Sequence, residues 1–334
     1  MSTSAPGRSL RLEVKTLRAV LLALALGLLA FAAAAQTAPR ALRILVPFSA
    51  GGASDTYSRI AALKISEQTG RTIVVENRTG AGGRISWEAV ARSAPDGTTA
   101  GLIDATYAML PGLFDKLPWD VASDLVPAAM VCHTPFVVTV NAQSKLSTLG
   151  DLIAEARARP GALNFGSSGM GGVNHVVTEL FLHDARVKLT HIPYKGMGDA
   201  VVALQAGQID LIVTASPTAL GPVKGGRARA LAVSTAQRSA AFPGVPTAAE
   251  SGVPDYVVTN WFGFAFPKGT PKEMIDAMRE DVQRALAAPD VREKLAAQGA
   301  EPSSFTPGEF ARFLKEETRR WTELIRASGI KVEP

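Results

Sequence analysis

The stretch P-F-S-A-G-G-A-S-D at 47–55 sets two serines and paired glycines between an apolar run, Leu42–Val46, and a helical pattern. Small residues at such a junction can cradle a phosphate, expose a nucleophile on an elbow, or receive another anion on the main chain. Two further segments share the composition, Thr79–Gly83 and Gly166–Asn174, and His191–Gly196 is a fourth candidate. A phosphate loop needs G-K-[ST], which is absent, and G-A-G-G-R-I at 80–85 breaks the dinucleotide fingerprint at its last glycine. G-S-S-G-M at 166–170 does not complete G-x-S-x-G in either register, although a pairing of Ser167 or Ser168 with His175 stays open. His133, His175, His183 and His191 lack metal-ligand spacing, so no metal and no cofactor are expected.

An anion cradle fits best. The first N–H groups of a helix have no internal partners, and the helix dipole favours negative charge there. Glycine lets a ligand approach the backbone, and small hydroxyls add donors without bulk. Ser49 to Ser54 is therefore suited to a carboxylate, with Asp55 as a cap or first-turn residue. Ordinary turn chemistry explains any one such loop. Several at the same kind of junction point to a crevice beyond the carboxyl ends of parallel strands. Lys195, after a strand, reads as solvated, and Trp261-Phe262-Gly263 as either core or cleft wall. Asp104, at another strand end, either meets a ligand donor or caps a turn over 105–110.

The elements that must position these loops alternate. Short β-branched runs at 42–48, 72–76, 99–104, 136–140, 163–165, 189–193, 209–214 and 228–233 are separated by helical patterns such as 149–159, 173–183 and 199–206. That is an α/β protein with mainly parallel sheets. Two amphipathic helices, 271–287 and 307–327, close the chain, the last carrying Phe310, Phe313, Leu314, Trp321, Leu324 and Ile325 on one face. With no flexible linker, the chain is expected to cross between two lobes as ordered strands at 136–141 and 256–264.

Residues 1–35 carry Arg8, Arg11, Lys15 and Arg18, an apolar run from Ala19 to Phe31, and Ala33-Ala34-Ala35 before Gln36. This is the pattern of a cleaved secretory signal peptide. It holds four of the 35 Lys and Arg and one of the 30 Asp and Glu, so the net charge falls from +5 to +2 without it. A nearly neutral remainder gives no footprint for nucleic acid. The single cysteine, Cys132, lies in an apolar run and reads as a buried bystander; export without disulfides suits a bacterial periplasm.

The ordered motifs V-P-F-S-A-G-G-A-S-D (46–55), V-V-E-N-R-T-G-A-G-G (74–83), A-P-D-G-T-T (94–99), L-P-W-D (117–120), L-N-F-G-S-S-G (163–169), H-I-P-Y-K-G (191–196), R-A-L-A-V (229–233) and W-F-G-F (261–264) resemble the Bug-type receptors, the periplasmic solute-binding family of tripartite tricarboxylate transporters. The resemblance runs from about 43 to 332. It implies a two-lobed Venus-flytrap fold, with one lobe from 36–137 and 258–334 and the other from 138–257. It implies a non-catalytic monomer that captures a small carboxylate and delivers it to membrane transporter subunits. A sensor role and a secreted serine hydrolase using Ser167 or Ser168 are the alternatives. The resemblance places ligand contacts at Phe48, Ser49, Ala50, Gly51, Gly52 and Ser54, at Ser167, Ser168, Met170, Gly171 and Asn174, and at Tyr194 and Gly196. The ends of neighbouring strands add Asp104, Thr106 and Thr214. Three residues depart from the family pattern: Thr214 stands where an acid is usual, Asp104 where small polar residues are common, and Met170 is bulkier than expected.

Overall fold

The computed structural model describes residues 41–328. The signal-peptide expectation for 1–35 lies outside them. Strands β1 (Leu42–Val46), β2 (Ile73–Asn77) and β3 (Thr99–Asp104) are parallel, with helices α1 (Ala53–Thr69) and α2 (Arg84–Ala91) between them. Helix α3 (Ala105–Leu113) follows, then β4 (Leu125–Asn141) and α4 (Leu149–Ala158). A second parallel set, β5 (Asn164–Ser167), β6 (Thr190–Pro193) and β7 (Leu211–Ala215), is joined by α5 (Val173–Ala185) and α6 (Met197–Gln205). Helix α7 (Ser216–Lys224) leads to β8 (Ala228–Val233) and then β9 (Thr259–Pro267). The strand order is β2-β1-β3-β9-β4-β7-β5-β6, with β8 also on β4.

The strand β4 links the two parallel sets. Its first part lies antiparallel to β9 up to Pro135↔Thr259, and from Phe136 onward it pairs with β7 and β8. The sequence places a strand at 136–140, whereas prolines at 127 and 135 would argue against pairing upstream. The chain accommodates them with register shifts at Pro127/Ala129 and Met130/Cys132, so one strand extends over 17 residues. Phe136 to Val140 is fully buried and β-branched except for Phe136, which suits a strand covered on both faces.

The tail comprises α8 (Lys272–Ala287), α9 (Pro289–Ala297), the short β10 (Glu301–Pro302) and α10 (Pro307–Ser328). Helix α8 packs on α1 and β4, and α10 on α3. Phe310, Leu314, Trp321 and Ile325 are buried, and Phe313 and Leu324 pack at the edge of the same core, as their spacing predicts. Glu309 accepts the N–H and hydroxyl of Thr306 and fixes the helix start. Gly112 permits close approach, since a Cβ there would stand 3.0 Å from Thr322 Cα. Cys132 is fully buried and burial pushes its thiol well up, which fits the inert reading. No helix among the described residues is long and apolar enough to cross a membrane.

Candidate functional site

Among the helices whose N-cap is a glycine, and so gives no side-chain cap, are α1 at Gly52, α5 at Gly172 and α6 at Gly196. All three start just after a parallel strand, and residues of all three line one narrow cavity of about 20 Å³. Phe48, Gly52, Ala53 and Ser54 reach it from the β1–α1 turn, Ser168, Val173 and Asn174 from the β5–α5 turn, and Met197 from α6. Asp104, Thr214, Ala215, Thr218, Asn260 and Phe262 complete the lining. Of the residues on that lining, Asp104 alone carries a formal charge.

The β1–α1 turn is tied from behind. Gly51 adopts φ +79°, which favours glycine, and its N–H donates to Asp55 Oδ2 at 3.1 Å. Asn77 Nδ2 donates to both the Phe48 carbonyl and Asp55 Oδ1, and Arg59 bonds the same carboxylate. Burial would raise the Asp55 carboxyl, but its bonds to Arg59, Gly51 and Asn77 outweigh that and hold it low. Asp55 is thus the first-turn residue that the sequence suggests, shaping the loop from outside the cavity.

The two walls touch. Val173 N, in the first turn of α5, donates to Thr106 Oγ1 at 3.0 Å, Gly196 packs onto Ser49, and Gly82 onto the Met170 carbonyl. Seven expected contacts line the cavity: Phe48, Gly52, Ser54, Asp104, Ser168, Asn174 and Thr214. The other nine do not. Ser49, Ala50, Gly51, Met170, Tyr194 and Gly196 sit at or near the seam between the walls, and Thr106 bridges it. Gly171 gives its N–H to His175 Nδ1, and Ser167 turns to a histidine. Sequence reasoning missed Ala53, Val173, Met197, Ala215, Thr218 and Asn260. Pro217 in the first turn of α7 was the available signal for Thr218, because proline there marks another helix start beyond a strand. The W-F-G choice resolves by strand alternation: Trp261 goes to the core and Phe262 to the cavity.

Asp104 takes the capping role, and its place on the cavity lining leaves the ligand role open to it. It caps α3, Oδ1 accepting the Thr106 N–H at 3.0 Å, and it also faces the cavity. Ser54 Oγ donates to its Oδ2 at a long 3.4 Å. Burial dominates over these bonds and raises the carboxyl to about 7.

The serine–histidine pairing falls elsewhere than on His175. Ser167 Oγ lies 2.6 Å from His191 Nε2, while Ser168 Oγ donates to Asn174 Oδ1 at 3.0 Å. Parallel pairing of β5 with β6 sets Phe165 beside His191, on the same face as Ser167, a proximity that sequence separation conceals. His191 stacks on His175 with centroids 4.0 Å apart, and Phe165 continues the stack. Burial lowers His175 to about 4, and burial with the neighbouring ring lowers His191 to about 3. The Gly171 N–H bond fixes the neutral tautomer of His175 with its proton on Nε2, which faces Glu179 at 3.8 Å. The stack is a brace for the 167–172 turn.

This brace gives a pH prediction. The folded histidine values lie below the unfolded 6.5, so the unfolded chain takes up protons first, and this stability is lost as pH falls from about 6.5 to about 4. Asp104 has the opposite sign: its folded value of about 7 exceeds the unfolded 3.8, so its contribution is lost as pH rises through 7. In thermal melts from pH 7.5 to 4.5, His175→Phe should flatten the decline in Tm and Asp104→Asn should steepen it. Parallel profiles for all three proteins would show that neither site is desolvated.

Comparison with known proteins places this geometry. The model of the family described as tripartite tricarboxylate transporter family receptor, TctC, matches residues 57–330. BugT of Bordetella pertussis is 38% identical over 302 residues, 90% of this chain and 93% of BugT. The structure of Rpa4515 of R. palustris with adipate superposes at TM-score 0.84 and 32% identity, covering 87% of this chain and 97% of that one. MatC of Rhodopseudomonas palustris with bound malate gives 0.82 and 30%, covering 86% and 99%.

Proposed function

Since the chain belongs to the tripartite tricarboxylate transporter receptor family, we propose that it closes over one small carboxylate and hands it to a tripartite-type membrane transporter. Receptors of this family are periplasmic solute-binding proteins, and the chain is a solute-binding protein of that two-lobed fold, not an enzyme. The leader over 1–35 is, in this reading, removed on export. The receptor acts as a monomer, and a signalling protein is the other partner that would recognise its closed form.

One observation carries the reading. The N-termini of α1, α5 and α6 meet at a single cavity, none capped by its own N-cap side chain. Three sets of N–H groups and three dipole ends offer a carboxylate what arginine would otherwise supply. The lobes are 36–137 with 258–334, and 138–257; β4 and the segment leading into β9 are the crossings. Helix α1 then belongs to one lobe, and α5 and α6 to the other. A carboxylate can engage all three only when the lobes shut, and that differential affinity drives closure. Ser167 has no part in turnover: although its hydroxyl meets His191, it is fully buried and lies off the cavity lining, out of reach of a bound solute.

The test is a thermal-shift screen of small carboxylates, followed by calorimetry. A binder at a hundred times its Kd should stabilise the protein by about 2.7 kcal/mol. A flat response across mono-, di- and tricarboxylates, with amides or sugars stabilising instead, would overturn the reading. Loss of uptake of the identified acid on deletion of the gene tests the transporter step, and unchanged uptake would favour the sensor.

A further inference from the structure

We infer that Asp104 and Thr218 form a subsite for a hydroxyl on the ligand, so that the preferred solute is a small hydroxy acid. This rests on the carboxylate reading above and concerns the ligand's second polar group. Two independent observations converge on Asp104 and Thr218, which line the same cavity. Asp104 is a fully buried acid on the cavity lining, and the bond that Ser54 Oγ donates to its Oδ2 is long, at 3.4 Å. Thr218 is 6% exposed, lines the same cavity, and its Oγ1 is buried without a hydrogen-bond partner. A buried hydroxyl left unmatched is costly, so its presence at a ligand cavity marks a position the solute completes.

Asn174 and the Asn260 oxygen are already committed. Asn174 donates to the Val213 carbonyl and accepts from Ser168, and Asn260 Oδ1 accepts the Ala105 and Trp261 N–H groups. An acceptor at Asp104 and a hydroxyl at Thr218 are therefore open to a solute, beside the Asn260 Nδ2 donors. Above about pH 7, where Asp104 is ionised, a second carboxylate would face it with no cation on the lining to offset the repulsion. An ammonium satisfies Asp104 but offers nothing to accept the Thr218 proton. A hydroxyl does both: it donates to Asp104 and accepts from Thr218.

The experiment titrates butyrate, 3-hydroxybutyrate, 3-aminobutyrate and succinate into the wild type, Asp104→Asn and Thr218→Val by calorimetry. Asparagine keeps the capping acceptor and valine keeps the shape, so both variants should fold. The hydroxy acid should bind the wild type at least about tenfold more tightly than the other three, as a charge-assisted hydrogen bond allows. Asp104→Asn should narrow that margin to within about threefold, and Thr218→Val should weaken the hydroxy acid while leaving butyrate within about twofold. Equal or better binding of succinate or the amine, or the same ranking in both variants, overturns the subsite and leaves the carboxylate reading standing. Failure of every carboxylate, here and in the wider screen, overturns both.

Discussion

Gly196→Ala is expected to weaken carboxylate binding by about a hundredfold while leaving the empty, open protein as stable as the wild type. Gly196 has φ −174°, an extended conformation open to any residue, so alanine brings no backbone strain. The obstacle lies across the seam. A Cβ on Gly196 would stand 2.0 Å from Ser49 Oγ, 2.7 Å from Ser49 Cβ and 3.0 Å from Ser49 N. The hydroxyl can rotate away, but the Cβ and the backbone nitrogen cannot move without shifting the β1–α1 turn. That turn is held by Asn77 and Asp55 and gives little. The clash exists only when the walls meet, so its cost of about 2–3 kcal/mol falls on the closed state alone. Calorimetry gives the affinity, and small-angle scattering shows whether ligand still compacts the molecule. Gly198→Ala is the matched control, because its Cβ would meet the Ala50 carbonyl at a merely tight 3.3 Å. Wild-type affinity and compaction in Gly196→Ala would sink the closure mechanism.

The seam also shows what the sequence made visible. Strand–glycine–helix junctions could be read directly, because the glycines and the change of hydrophobic period sit side by side along the chain. The α/β alternation and both closing helices were legible for the same reason. What could not be read was whatever depends on pairing between distant strands. Ser167 meets His191 only because β5 and β6 run parallel and in register. Asn260 reaches the Ala105 N–H only because β9 lies beside β3, with Asp104 opposite Phe262. Thr218 carries no local mark beyond Pro217, and its unmatched hydroxyl appears only once the surrounding atoms are placed. The dual state of Asp104 was half legible: its capping bond is local, and its burial is tertiary.

Glu317→Leu should destabilise the protein by about 3 kcal/mol, with Glu317→Gln costing less than about 1 kcal/mol. Glu317 on α10 is 7% exposed, and its Oε2 accepts from Trp321 Nε1 at 2.9 Å and Trp261 Nε1 at 3.3 Å. Its Oε1 meets Arg320 Nη1 at 3.1 Å. Leucine fills the space but leaves two buried indole donors without an acceptor, each costing on the order of 1–3 kcal/mol. Glutamine retains one carbonyl acceptor directed at the indoles, so the comparison separates hydrogen bonding from packing. The consequence reaches the cavity through strand alternation. Trp261 anchored to α10 sets the face on which Asn260 and Phe262 look the other way, into the cavity. Helix α10 also packs on α3, whose start carries Asp104 and Thr106. Urea denaturation of the three proteins, with and without a saturating carboxylate, should therefore show Glu317→Leu losing ligand affinity as well as stability. Unchanged stability in Glu317→Leu would mean that the indoles are not held by this carboxylate. A loss of stability with wild-type affinity would separate the C-terminal helix from the site it is placed to support.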